Sequence, residues 1–284
     1  MKNAIKYYYN IDINDLIFKN DNYYFDNYIL KMVNVPIDIE LYNYLINNNI
    51  NVYRIINNKN NEYITIIDNK KYILLYKNIN KINLNLKTVI NNNRIEVDKE
   101  IRWDILWKNK IDYFEQNIVN IKDKELLSVY PYYIGLSENA LRLFNEKEFD
   151  GTKSLSHKRI ECVDDLFIPS NIIIDYRVRD IAEFIKYSFF ADSINIDELF
   201  YLLDNSNLNY GDYYLLFVRL LFPSYFFDCI EHNKKITIYS SKINQYELFL
   251  NKIYSYITKY IKIPSIEWLI KDSIINQYYL HYLN

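Results

Sequence analysis

The chemistry open to this chain is bounded first by residue types that are scarce in it. Its three histidines, His157, His232 and His281, are too scattered to give recognisable metal-ligand spacing. Its two cysteines, Cys162 and Cys229, are too few for a disulfide framework or a zinc cluster and read as reduced thiols. Cys162 lies five residues from His157, with nothing to mark a nucleophile–base pair. Three glycines, Gly135, Gly151 and Gly211, leave no room for a Walker-type or dinucleotide-binding pattern. What remains is a concentration of charge in "SLSHKRIECVDDLFIPSNIIIDYRVRDIAEFI", which contains Arg159, Asp164, Asp165, Asp175, Arg177, Arg179 and Asp180. Lysine greatly outnumbers arginine elsewhere, so three arginines together point to a need for the planar, multidentate donor that lysine cannot supply.

Elements must hold these residues in place, and two regions differ in period. Between residues 50 and 77 the runs "INVYRII", "EYITIID" and "KYILLYK" are β-branched and aromatic, separated by "NNKNN" and "NK". They predict three antiparallel strands, preceded by a short helix over "IDIELYNYLINNN" and closed by Lys77. From about residue 101 the period becomes helical. "IRWDILWKNKIDYFEQNI" places Ile101, Ile105, Ile111 and Phe114 near one stripe, with Trp103 and Trp107 beside it. In "YPYYIGLSENALRL", Gly135 is expected to permit a sharp turn and Ser137 to cap a new helix. "YYLLFVRLLF" predicts a buried helix that ends or kinks at Pro223. Residues 243–260 predict another helix, ended by Pro264, and "IEWLIKDSIINQYYLHYL" a closing one. The fold class expected is α+β, with a small antiparallel-sheet region over residues 1–100 and a larger, mainly helical one over 101–284.

That shape is shared by the kinase-like phosphotransferases. Phosphoryl transfer needs a third-strand lysine for the phosphates and a loop Asp to accept the hydroxyl proton. It also needs an Asn shortly after that Asp, and an Mg²⁺-holding Asp about twenty residues on. Lys77 sits where such a lysine is expected. The segment from Ser154 resembles the catalytic segment of aminoglycoside-phosphotransferase-like kinases, in which a His-x-Asp loop precedes a buried strand ending Ile-Asp. The resemblance puts His157 on the loop histidine, Asp175 on the metal-binding Asp and Asp180 on the helix-start Asp that braces the loop. It puts Arg159 on the catalytic Asp, and no Asn follows at the expected spacing. An arginine accepts no proton at neutral pH and opposes a nearby cation. With no glycine between residues 50 and 77 to form a phosphate cradle, these are expected to be vestigial positions.

In "WKNKIDYFE", "YPYYIGLSENALRL", "SHKRI", "IIDYRVRDIAEFI", "VRLLFPSYFFDCIEH" and "IPSIEWL", taken in order, the chain resembles spore coat proteins of the YutH type, a branch of the CotS-like, kinase-related coat proteins of endospore formers. This implies a protein-kinase-like two-lobe fold. It further implies a protein made in the mother-cell cytoplasm and then built into the spore coat, with other coat proteins as partners and a degraded kinase signature. The expectation is a structural pseudokinase with no cofactor and no metal. The alternatives are a phosphotransferase using ATP and Mg²⁺, with Asp164 or Asp165 as the carboxylate, or a nucleotide sensor binding through Lys77 and Asp175. A net charge of −2 without a long basic run argues against nucleic acid, and the arginine and proline in the most apolar window argue against membrane insertion. With 31 tyrosines, a tyrosine-rich surface suited to protein contacts is expected.

Overall fold

The computed structural model describes residues 1–19, 22–33, 37–79, 82–91, 97–118, 121–148, 150–232, 234–264 and 266. The chain divides into two compact units. One gathers Met1–Leu84 with His157–Ile173, the other Asn85–Ser156 with Ile174–Asn284. The charged loop after His157, counted with the helical part in the sequence, thus packs with the sheet.

The first unit is built on a six-stranded antiparallel sheet. Helix α1 (Lys2–Tyr9) precedes β1 (Ile17–Lys19), β2 (Asn22–Phe25) and β3 (Tyr28–Met32). Helix α2 (Ile39–Asn47) leads to β4 (Arg54–Ile56), β5 (Thr65–Ile67) and β6 (Lys70–Tyr76). The three strands expected over 50–77 are present, but β6 is their centre. It pairs with β3 on one side, and on the other with β4 opposite Leu74–Tyr76 and β5 opposite Lys70–Tyr72. Asp68 and Asn69 both take positive φ, which closes the β5–β6 hairpin on two residues. Side chains of β6 alternate between two buried faces. Tyr72 and Leu74 pack with Ile5, Phe25, Leu30 and Ile67 in one cluster. Ile73 and Leu75 lie on the opposite face and are equally buried. This accounts for the unbroken apolar run "YILLY". The hydroxyl of Tyr42 on α2 accepts from Ile55 N–H at 2.9 Å, tying the helix to β4.

The second unit contains α3 (Leu86–Asn91), α4 (Trp103–Asn117), α5 (Lys124–Asn145), α6 (Val178–Phe190), α7 (Ile196–Asp204), α8 (Tyr210–Leu221), α9 (Ser224–Glu231), α10 (Thr237–Ser241) and α11 (Ile243–Ile257). Strands β7 (Lys153–His157) and β8 (Ile172–Tyr176) form a two-stranded sheet. Helix α8 is the axis of the core, buried from Gly211 to Leu221. The stretch 210–231 has the length and composition of a membrane span, but 83% of its most apolar window is buried inside the protein. Asn209 caps α8 in a capping box with Asp212, and Phe222-Pro223 ends it where the proline predicts.

Three expectations need correction. Helix α5 runs unbroken for 22 residues with Pro131 inside it, so Gly135 makes no turn and Ser137 no cap. Ser137 Oγ donates to Tyr133 O at 2.7 Å within the helix. The buried stripe of α4 is Trp103, Trp107, Ile111 and Phe114, while Ile105 is 44% exposed. The helix from Ile243 ends at Ile257, well before Pro264. The closing helix expected beyond it lies outside the described residues.

The tyrosines have a second use that composition hides. Five buried hydroxyls donate to carbonyls in or near the last turns of helices, groups that helical geometry leaves without a main-chain partner. Tyr130 reaches Phe114 O in α4, Tyr214 reaches Leu143 O in α5, and Tyr213 reaches Leu203 O in α7. Tyr246 reaches Leu220 O in α8, and Tyr133 reaches Tyr239 O in α10. Each phenol fills core volume with its ring and satisfies a helix end with its tip.

Candidate functional site

The loop between β7 and β8 is knitted by its own polar side chains. His157 is buried at the end of β7, and its Nε2–H donates to Leu166 O at 3.1 Å. Asp165 accepts the main-chain N–H groups of Glu161 and Cys162 at 2.9 and 3.0 Å. Asn171, which the sequence reading passed over, donates from Nδ2 to Arg159 O and Asp165 O, both at 2.7 Å. Arg159 itself is half-buried, and its Nη1 donates to the neighbouring Lys158 O at 2.7 Å. Burial and the adjacent Asp165 push the Cys162 thiol up to about 11, which keeps it protonated and unreactive at neutral pH.

This loop is pinned to the sheet through Asp164. Tyr53 Oη donates to Asp164 Oδ1 at 2.6 Å, and Lys77 Nζ lies 3.0 Å from the same oxygen. Tyr53 N–H also donates to Phe167 O at 2.8 Å, and the two rings meet at 5.5 Å. Burial and the Asp164 carboxylate drive the Tyr53 phenol far upward, so its proton stays on. Lys77 therefore has a carboxylate partner 87 residues away. It follows the sixth strand in chain order, because β1–β3 were not foreseen. The third strand carries Lys31, half-buried and without an ion pair among the described residues.

In the second unit the decisive group is Asp175, at the end of β8 and 4% exposed. Its Oδ1 accepts Trp103 Nε1–H at 2.8 Å and Tyr176 N–H at 2.7 Å. Its Oδ2 accepts Arg179 Nη1 at 2.6 Å, one helical turn on in α6. The arginine bound to Asp175 is thus Arg179. The three clustered arginines part company: Arg177 Nη1 donates to Asn207 O at 2.9 Å. Asp180 is buried in the first turn of α6, the position the resemblance assigned it.

Behind Asp175 lies a buried ionic cluster that the sequence reading missed. Lys186 Nζ donates to Glu183 Oε1, Phe222 O and Ser224 Oγ at 3.0, 2.9 and 2.7 Å. Arg219 Nε donates to the same Glu183 oxygen at 2.7 Å. The Arg219 guanidinium stacks over Trp103 and Trp107 at 5.0 and 5.5 Å, a cation–π contact that backs the indole whose N–H holds Asp175. The signal was a lone lysine and a lone arginine inside otherwise apolar runs, "FIKYSFF" and "LLFVRLLF". The two remaining glycines are explained nearby: a Cβ on Gly211 would fall 2.1 Å from Asp150 O, and one on Gly151 would fall 2.6 Å from a Leu215 methyl. Asp212 locks this close approach by accepting Thr152 N–H at 2.7 Å and its hydroxyl at 2.9 Å.

Comparison with known proteins gives three findings. The family model described as "Spore coat putative kinase YutH" matches residues 9–263. The endospore coat-associated protein YutH of Bacillus subtilis is 26% identical over 211 residues, which is 61% of this chain and 62% of that protein. Among solved structures, an aminoglycoside phosphotransferase from Alicyclobacillus acidocaldarius aligns with a TM-score of 0.58 at 12% identity, over 87% of this chain and 93% of that one. A spectinomycin phosphotransferase in complex with ADP and spectinomycin aligns at 0.53 and 14%, over 92% and 93%. The fold is that of the kinase-like aminoglycoside phosphotransferases, a small antiparallel-sheet part and a larger helical part.

Proposed function

The chain belongs to the YutH family of spore coat proteins, and on that footing we propose that it is a structural coat component whose kinase-like fold transfers no phosphate. The observation that carries this is the occupancy of Asp175. A carboxylate that holds Mg²⁺ must offer oxygen lone pairs in near-octahedral geometry. Here one oxygen is taken by an indole and a main-chain N–H, the other by a guanidinium at 2.6 Å. A divalent cation at this carboxylate would have to displace Arg179 and then sit beside its charge. The residues present do not fit the metal.

Two further features support the reading. Arg159 stands where the resemblance expects a proton acceptor, and the substitute carboxylate Asp164 already serves Lys77 and Tyr53. Tyr7, Tyr113, Tyr201 and Tyr210 are each more than half exposed, which suits packing against other coat proteins. We place the chain in the mother-cell cytoplasm first and in the spore coat afterwards, with neither nucleotide nor metal as cofactor. The test is phosphate release from ATP with Mg²⁺ or Mn²⁺, run beside Asp175→Ala. No release above background is expected. Turnover that disappears in Asp175→Ala would restore the phosphotransferase.

A further inference from the structure

Residues Asp15–Lys19 read Asp-Leu-Ile-Phe-Lys. The last three form β1, the outermost strand of the first unit's sheet, which among the described residues pairs with β2 and no other strand. All three side chains of β1 are exposed, Ile17 at 64% and Phe18 at 59%. An edge strand that presents apolar side chains is a template for another strand, and proteins ordinarily blunt such edges with a very short strand, a charged side chain, proline or a bulge. β1 is short and ends in the charged Lys19, but neither proline nor a bulge interrupts Ile17–Lys19, and the lysine has an opposite charge in Asp15 four residues before it.

The sequence of this edge is complementary to itself. If a second copy is laid antiparallel about a two-fold axis through Ile17, Asp15 faces Lys19 of the second copy and Lys19 faces its Asp15. Leu16 faces Phe18 on both sides of the axis, and Ile17 faces its own counterpart. Directly opposite residues share a face of the sheet, so each face carries a matched set: charge and isoleucine on one, leucine and phenylalanine on the other. Asp15 and Lys19 make no ion pair among the described residues, whereas nearby Asp12 is taken by Lys6. On the second face Phe18 already packs on Tyr23 at 4.7 Å, and Tyr23 on Tyr72 at 6.4 Å. An aromatic row therefore leads inward from the open edge.

We propose that the chain forms a symmetric homodimer by antiparallel pairing of Asp15–Lys19 with the same segment of a second copy. The contact is isologous and closes at two, joining two sheets through their β1 edges. A strand this short buries little surface, so the dimer is weak, with a dissociation constant on the order of micromolar or higher. The pairing stands apart from the question of phosphate transfer, because no residue in it belongs to the catalytic segment.

The experiment is sedimentation velocity on the full chain across a concentration series from about 1 to about 300 µM, a range chosen to bracket that affinity. Wild type should pass from monomer to dimer. Asp15→Lys and Lys19→Asp each set like charges opposite one another twice, and each should weaken the dimer by about tenfold or more. The Asp15→Lys/Lys19→Asp double variant should regain wild-type association. An equimolar mixture of the two single variants should form a heterodimer, since every facing pair is then attractive. Both substitution sites are solvent-facing, and circular dichroism would verify that the fold is kept. A wild type that stays monomeric throughout overturns the proposal. So does a dimer indifferent to the single reversals, or a double variant and mixture that fail to regain association; binding to another protein's strand would then be the edge's use.

Discussion

Asp175 serves the fold through the chain's own donors. Its carboxylate now joins the end of β8, the first turn of α4 and the first turn of α6 through three donors. Removing it would take the acceptor from the buried Trp103 N–H and break the ion pair with Arg179, which costs far more than the pair contributes on its own. Asp175→Ala is therefore expected to destabilise the protein by about 3 kcal/mol, read as a lowered urea midpoint. A carboxylate kept for metal binding behaves the other way, since its isolated charge weighs on the fold and its removal relieves strain. An unchanged or raised midpoint would contradict the structural role given to Asp175. Sequence alone located Asp175 and Asp180 through the "NIIIDYRVRD" pattern. It did not foresee that Asp175 binds Arg179, because that contact depends on how the end of β8 runs into the first turn of α6.

At the scale of elements, the long-period signals were legible and the short ones were not. The strands at 54–56, 65–67 and 70–76 and helices α2, α4, α6, α8 and α11 follow from residue period, and Pro223 marks the end of α8 as its chemistry dictates. Strands β1–β3 are three to five residues long in an Asn- and Tyr-rich stretch, too short for alternation to declare itself. The first half of helix α5 was missed because Gly135 was read as a turn and Ser137 as a cap; packing against α4 and α8 carries the helix through both and through Pro131. The tyrosine bonds to helix ends were also invisible, since they join residues far apart in sequence. Tyr246 is the clearest case: it is 1% exposed, and burial holds its phenol well above its ordinary value, so the hydroxyl remains a donor. Tyr246→Phe keeps the ring and leaves Leu220 O unsatisfied. The expected loss is about 1–2 kcal/mol in denaturant unfolding. A neutral outcome would show that the helix end finds another donor.

For the whole molecule, the compositional bias toward Asn, Ile, Lys and Tyr conceals a chain that departs from it where geometry demands. Glycine stands at 151 and 211 because a side chain there meets its neighbours, whereas Gly135 has open space above it. Arginine stands at 179 and 219, where a planar guanidinium grips a carboxylate or lies on paired indoles. In this kinase-like fold the Asp175 carboxylate is turned inward to the chain's own donors. The direct measurement is isothermal titration of ATP into the purified protein with and without Mg²⁺, alongside Asp175→Asn. With Asp175 occupied by Arg179 and Trp103, adding Mg²⁺ should produce no binding heat beyond the metal-free titration, and Asp175→Asn should leave the trace unchanged. Mg²⁺-dependent ATP binding that Asp175→Asn abolishes would contradict the closed carboxylate and, with it, the catalytically silent coat protein.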